Sequence, residues 1–117
     1  MTPVTHIVLV SWKSGRGAAA EESIRPAIRG FGATIPGIVS VVEGHSSSPE
    51  GLEHGHDYGF VITFDSPQSR DAYLPDPNHQ VVAQAIGENA ARVVVFDITS
   101  AATTGGGSPA GPQLPLP

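Results

Sequence analysis

The chain has no cysteine among its 117 residues, which excludes a disulfide scaffold, a thiolate zinc site and a cysteine nucleophile. Positive charge is scarce. Six Lys and Arg stand against eleven Asp and Glu, and the six (Lys13, Arg16, Arg25, Arg29, Arg70 and Arg92) are scattered. A surface that tracks phosphates needs clustered cations, so neither nucleic acid nor an anionic membrane is expected as a partner. No apolar run approaches the roughly 20 residues that span a bilayer, and the N-terminus lacks the basic, apolar, small-residue order of a signal peptide. The expected location is the cytoplasm. The length fits one small domain, large enough to bury a single core without staples.

What is present divides near residue 100. Residues 101–117 hold four Gly, four Pro and no charge. Such a stretch cannot bury enough apolar surface to offset its chain entropy, so a disordered tail is expected there, behind a domain over residues 1–100. The domain opens with a β-branched run from Val4 to Trp12, free of Gly and Pro, that reads as a buried strand with Val4, His6, Val8, Val10 and Trp12 on one face. A helical pattern follows from Ala18 to Ala33, and Pro26 inside it predicts a kink or a fresh start. Ile38 to His45 and Tyr58 to Phe64 read as strands around a polar loop. Ser66-Pro67 and Asp76-Pro77 each pair a capping side chain with a proline suited to a first turn, predicting a short helix to about Leu74 and another from about Asn78 to Ala90. Arg92 to Ile98 closes as a fourth strand. The order βαββαβ predicts an α+β, ferredoxin-like fold with a four-stranded antiparallel sheet. Helices on one side leave the other sheet face apolar, so a homodimer closing face to face into a barrel is expected.

Several segments resemble the stress-responsive dimeric α/β barrel (Dabb) family over about residues 4–98. These are His6 to Lys13, Ile35-Pro36-Gly37-Ile38, Gly59 to Ser66, Asp71 to His79 and Phe96-Asp97, with Tyr73 to His79 the most specific. The family includes plant and bacterial stress-associated proteins and olivetolic acid cyclase, a cofactor-free enzyme that closes a polyketide ring by aldol condensation. The resemblance implies a dimeric barrel, no cofactor, and catalytic roles at Tyr73 and His79, with His6 in the same cavity. Another cavity histidine of the cyclase aligns with Tyr58, a departure that bears on the substrate.

The chemistry of these side chains suits the implied role. Histidine takes a proton near neutral pH, and a phenol donates a hydrogen bond to a carbonyl that is becoming an enolate. The expected assignment is therefore His79 as general base, Tyr73 as donor or acid, and His6 as an orienting or polar-lining group that could bond to His79. Val8, Val10, Phe31, Tyr58, Phe60 and Ile62 are the expected apolar walls for a small carbonyl-containing ligand. The expected function is a cofactor-independent polyketide cyclase-like enzyme. The rivals are a non-catalytic stress-responsive dimeric binding protein and a cofactor-free monooxygenase or isomerase of the same barrel group. His54-Gly55-His56, with His45 upstream, lies in a Gly-rich loop with only Glu50, Glu53 or Asp57 nearby to complete a metal site, and no rigid shell to hold one. No metal is expected there, only a solvated loop over the barrel mouth.

Overall fold

Alternation along the chain becomes one sheet in the computed structural model, which describes residues 2–99. The elements are β1 (Val4–Trp12), α1 (Gly17–Arg29), α2 (Phe31–Thr34), β2 (Ile38–His45), β3 (Tyr58–Phe64), α3 (Pro67–Tyr73), α4 (Pro77–Asn89) and β4 (Ala90–Thr99). The strands lie in the order β2-β3-β1-β4 with every neighbouring pair antiparallel. This is the ferredoxin-like pattern, with each helical connection built in two pieces. The tail expected over 101–117 lies outside the described residues.

The core forms on the helix-covered face. On β1, Val4, His6, Val8 and Val10 are buried, as are Tyr58, Phe60, Ile62 and Phe64 on β3. The pairs His6↔Ile62 and Val8↔Phe60 bring the two sets side by side. Facing them are Ile24 and Ile28 from α1, Phe31 from α2, Tyr73 from α3, and Val82 and Ile86 from α4. Burial of each such side chain contributes about 1.5–3 kcal/mol. The opposite sheet face has no covering layer among the described residues, and Leu9, Val42, Val94, Phe96 and Ile98 are exposed.

Local chemistry sets the helix ends that matter. Ser66 accepts a hydrogen bond from the Ser69 backbone N–H at the start of α3, and Asp76 accepts one from that of Asn78 at the start of α4; a proline occupies the first turn of each. Pro26 neither ends nor restarts its helix. α1 runs through it to Arg29, and the break falls at Gly30. Pro26 and Glu22, whose carbonyl loses its usual donor, are both exposed, so water can satisfy the freed group. At the other end α4 stops at Asn89 and β4 begins at once at Ala90, two residues before the expected start. Gly37, at φ 85°, turns the chain into β2 where a Cβ would collide with the Ser69 side chain.

A buried carboxylate ties α1 to β2. Glu43, with its side chain 6% exposed, accepts hydrogen bonds from Arg25 Nε and Arg29 Nε at 2.8 Å each and from the Tyr58 hydroxyl at 3.0 Å. Burial pushes the Glu43 pKa up, but these three donors outweigh it and bring it down to about 2.

Candidate functional site

Three polar side chains meet beneath the helices, each delivered by a different element. β1 contributes His6, α3 ends on Tyr73, and α4 presents His79 in its first turn. The Pro75-Asp76-Pro77 turn reverses the chain between α3 and α4, closed by the Asp76 N–H donating to the Tyr73 carbonyl at 3.0 Å. The Tyr73 and His79 rings therefore lie 4.1 Å apart between centroids, tilted by 38°.

Each ring is held differently. The Nδ1–H of His79 donates to the Leu74 carbonyl at 2.9 Å. A carbonyl only accepts, so neutral His79 carries its proton on Nδ1 and keeps a lone pair on Nε2. Burial lowers the His79 pKa; the Leu74 carbonyl works against this, His6 adds to it, and Asp76 opposes it. Tyr73 is fully buried between Phe64, Phe31 and His6, at ring distances of 5.1, 5.7 and 5.6 Å. Its hydroxyl is buried with no hydrogen-bond partner. Burial, and secondarily Asp97, raise its pKa, so the phenol stays protonated near neutral pH. An orphaned buried hydroxyl costs about 1–3 kcal/mol, and such groups mark places where a ligand can complete the bonding.

His6 does not bond to His79 as expected. Its Nδ1 lies 2.6 Å from Asp97 Oδ1, and Arg70 Nη1 donates to Asp97 Oδ2, also at 2.6 Å. The strand register decides this, because His6 on β1 stands directly opposite Asp97 on β4. Asp97 and Arg70 were not singled out as site residues from the sequence. The signal for Asp97 was available, since alternation along β4 puts Val93, Val95 and Asp97 on the inward face; Arg70 lies one helical turn before Tyr73 on α3.

His6, Tyr73 and His79 share the wall of a cavity of about 270 Å³ with Val8, Phe60, Val82, Ile86, Val93 and Val95. It contains no Asp, Glu, Lys or Arg in its lining. It opens beside the edge strand β4, where Val93 and Val95 are exposed. It therefore lies between sheet and helices within one chain, and not on the open sheet face where a barrel would close. Of the expected walls, Val8 and Phe60 line this cavity, whereas Val10, Phe31, Tyr58 and Ile62 do not. Val10 and Ile62 are closed into the core, Phe31 backs Tyr73, and Tyr58 turns its hydroxyl to Glu43 at the far end of β3. Alternation assigns a side chain to a face but not to a position along the strand, and the cavity lies where α4, from His79 to Gly87, passes over β1 and β4.

Two larger concavities differ in chemistry. A groove of about 920 Å³ along α1 is lined by both acids and bases, among which Glu21 pairs with Arg25 and with His45. Another of about 560 Å³ joins Leu9, Val42, Val61 and Val94 of the open face to the 46–57 loop. In that loop the His56 Nδ1–H donates to the Glu53 carbonyl at 3.0 Å, and Arg92 donates to the His54 carbonyl at 2.9 Å. Among the described residues no three His, Asp or Glu side chains are grouped to hold a metal ion. Nor is any helix long and apolar enough to cross a membrane.

Comparison with known proteins bears on the fold. The family model of the stress responsive A/B barrel domain matches residues 4–100. A dimeric ferredoxin-like protein of unknown function from Jannaschia sp. CCS1 superposes with a TM-score of 0.76 at 20% identity, covering 82% of this chain and 97% of that one. The hydroxynitrile lyase of Passiflora edulis gives 0.75 at 19% identity, covering 87% and 96%. A cofactor-independent oxygenase from Streptomyces nogalater gives 0.67 at 16%, covering 90% and 99%. At these identities the likeness is one of fold. No curated protein sequence matches the chain.

Proposed function

The chain belongs to the stress responsive A/B barrel (Dabb) family, and on that premise we propose that it is a cofactor-independent cyclase that closes a ring in a small, carbonyl-rich, poly-β-keto-type substrate. The observation that carries this reading is the pairing of an unpartnered Tyr73 hydroxyl with a His79 whose Nε2 lone pair is free, on the wall of an uncharged cavity.

The reaction uses each group in the state its surroundings favour. Tyr73 O–H donates to a substrate carbonyl oxygen. That polarises the adjacent C–H, whose proton passes to His79 Nε2 as the electron pair moves into an enolate. The enolate carbon attacks a second carbonyl carbon in the same molecule, forming the C–C bond, and the His79 proton is delivered to the new alkoxide. Proton and charge balance without an outside oxidant or reductant. The cavity is small and mostly apolar, which favours a compact ligand folded on itself. His6, on the same wall, orients the substrate.

The working form in this reading is a homodimer. Leu9, Val42, Val94, Phe96 and Ile98 form an exposed apolar stripe of the kind that a second sheet covers.

Purified Tyr73→Phe and His79→Ala are each expected to slow ring closure of a linear poly-β-keto thioester by about 100-fold, read as conversion of the linear substrate into the cyclic β-hydroxyketone together with the arene it gives on loss of water. Wild-type rates in both variants would remove the proposed roles. Oxygen uptake with an anthrone-type substrate and no ring closure would assign the cavity to oxygenation instead.

A further inference from the structure

Arg70 lies outside the cavity lining, yet it is the far end of a chain of contacts that terminates on a cavity side chain. Its Nη1 donates to Asp97 Oδ2 at 2.6 Å, and Asp97 Oδ1 stands 2.6 Å from His6 Nδ1. Its Nε donates at 2.8 Å to Asp71 on its own helix, which fixes the guanidinium from the other side. His6 is 4% exposed, while the side chains of Asp97 and Arg70 are each 23% exposed.

We propose that Arg70 is a positioning residue for the site: by holding Asp97 it fixes His6 as the tautomer protonated on Nδ1 and leaves Nε2 as the nitrogen available to a ligand. The chemistry is directional. An ionised carboxylate accepts and cannot donate, so the contact with Asp97 places the His6 proton on Nδ1. One carboxylate oxygen alone would let Asp97 swing about its χ2 bond. The guanidinium holds the second oxygen and confines that rotation, as paired carboxylate contacts do elsewhere. The charged and titratable groups around the ring are Asp97 on β4, Arg70 and Tyr73 on α3, and His79 on α4; the β3 residues beside it, Ile62 across the strand pair and Phe64 at 6.0 Å between rings, carry no charge. Among these, Asp97 is the sole acceptor within hydrogen-bond distance of Nδ1. With His79 also protonated on Nδ1 through the Leu74 carbonyl, the cavity would carry two imidazole lone pairs and one phenolic donor. That set suits a ligand bearing both an acceptor and a proton to lose.

The role of His6 in the site rests on the function proposed above, but its tautomer does not, and the test needs no substrate. Full-length protein labelled with ¹⁵N at histidine is read by long-range ¹H–¹⁵N correlation near neutral pH. Wild-type His6 is expected to show a protonated Nδ1 and a lone-pair Nε2. Arg70→Met is expected to give a tautomeric mixture at His6 with His79 unchanged, and Arg70→Lys to restore the single form at least in part. Asp97→Asn, whose amide can donate to Nδ1, is expected to populate the Nε2–H form. A wild-type His6 protonated on Nε2 overturns the proposal. So does a folded Arg70→Met protein with the wild-type His6 pattern. Should Arg70→Met not fold, Arg70→Leu, which likewise removes every donor to Asp97, carries the same two outcomes.

Discussion

The Tyr73 hydroxyl separates stability from function more cleanly than any other atom of the site. It is buried and has no partner in the protein, so Tyr73→Phe removes a cost while keeping the ring packed against Phe31 and Phe64. The variant is expected to be as stable as wild type or up to about 1 kcal/mol more stable in urea unfolding, although ring closure slows. A loss of stability would mean that the hydroxyl has a partner in solution. His79 makes a prediction of opposite character. Burial lowers its folded-state pKa below the ordinary 6.5, so the unfolded chain takes up a proton first as the pH falls. The His79 contribution to stability is then fully present above about 6.5 and declines below it. His79→Gln is expected to flatten that part of the pH–stability curve, measured by denaturant midpoints between pH 7 and 5. An unchanged slope would show that another group is responsible.

Among the elements, α1 and β2 depend on one charge cluster. Glu43 has a folded-state pKa of about 2 against an ordinary 4.5, after the donors Arg25, Arg29 and Tyr58 have overcome its burial. A lowered carboxylate pKa stabilises the fold fully above about 4.5, and that stability is lost as the pH falls towards 2. Glu43→Gln should cost about 2 kcal/mol at pH 7 and much less near pH 2, a difference readable in paired urea titrations. Equal losses at both pH values would contradict a charge-based staple. The elements themselves were largely legible. Val4 to Trp12, Ile38 to His45 and Tyr58 to Phe64 carry strand patterns bounded by turn residues, and both Ser66-Pro67 and Asp76-Pro77 name their own helix starts. At Pro26 residue type left a kink and a fresh start both open, and the helix continues to Arg29; what decides is whether the orphaned Glu22 carbonyl reaches water, which is a tertiary fact. The early start of β4 was hidden for a similar reason: Ala90 has helical propensity but pairs with Trp12 past a bulge. The site was half legible. The segment around Tyr73 and His79 advertised the pair, whereas alternation puts Asp97 on the inward face without saying that it stands opposite His6, which is a matter of the β1–β4 register.

At the scale of the whole molecule, two sheet faces do two jobs. The covered face builds the core and leaves the small cavity alongside α4, while the bare face presents Leu9, Val94 and Phe96 to whatever packs on it. Phe96, 59% exposed, points away from the cavity side, since it alternates with Val95 and Asp97 along β4. Phe96→Lys is expected to give a folded monomer by light scattering at micromolar concentration, where wild type gives a dimer. A monomeric wild type would defeat the dimer. The cavity lies within one chain, so the central claim stands or falls separately, on the base assigned to it. The most direct measurement is the single-turnover rate of ring closure on a poly-β-keto thioester, followed from pH 5 to 8 in wild type and His79→Ala. The account predicts a wild-type rate that falls on the acid side through one group titrating below 6.5, and its loss with the fast phase in His79→Ala. A His79→Ala protein that closes the ring as fast as wild type, with the same pH profile, would contradict it.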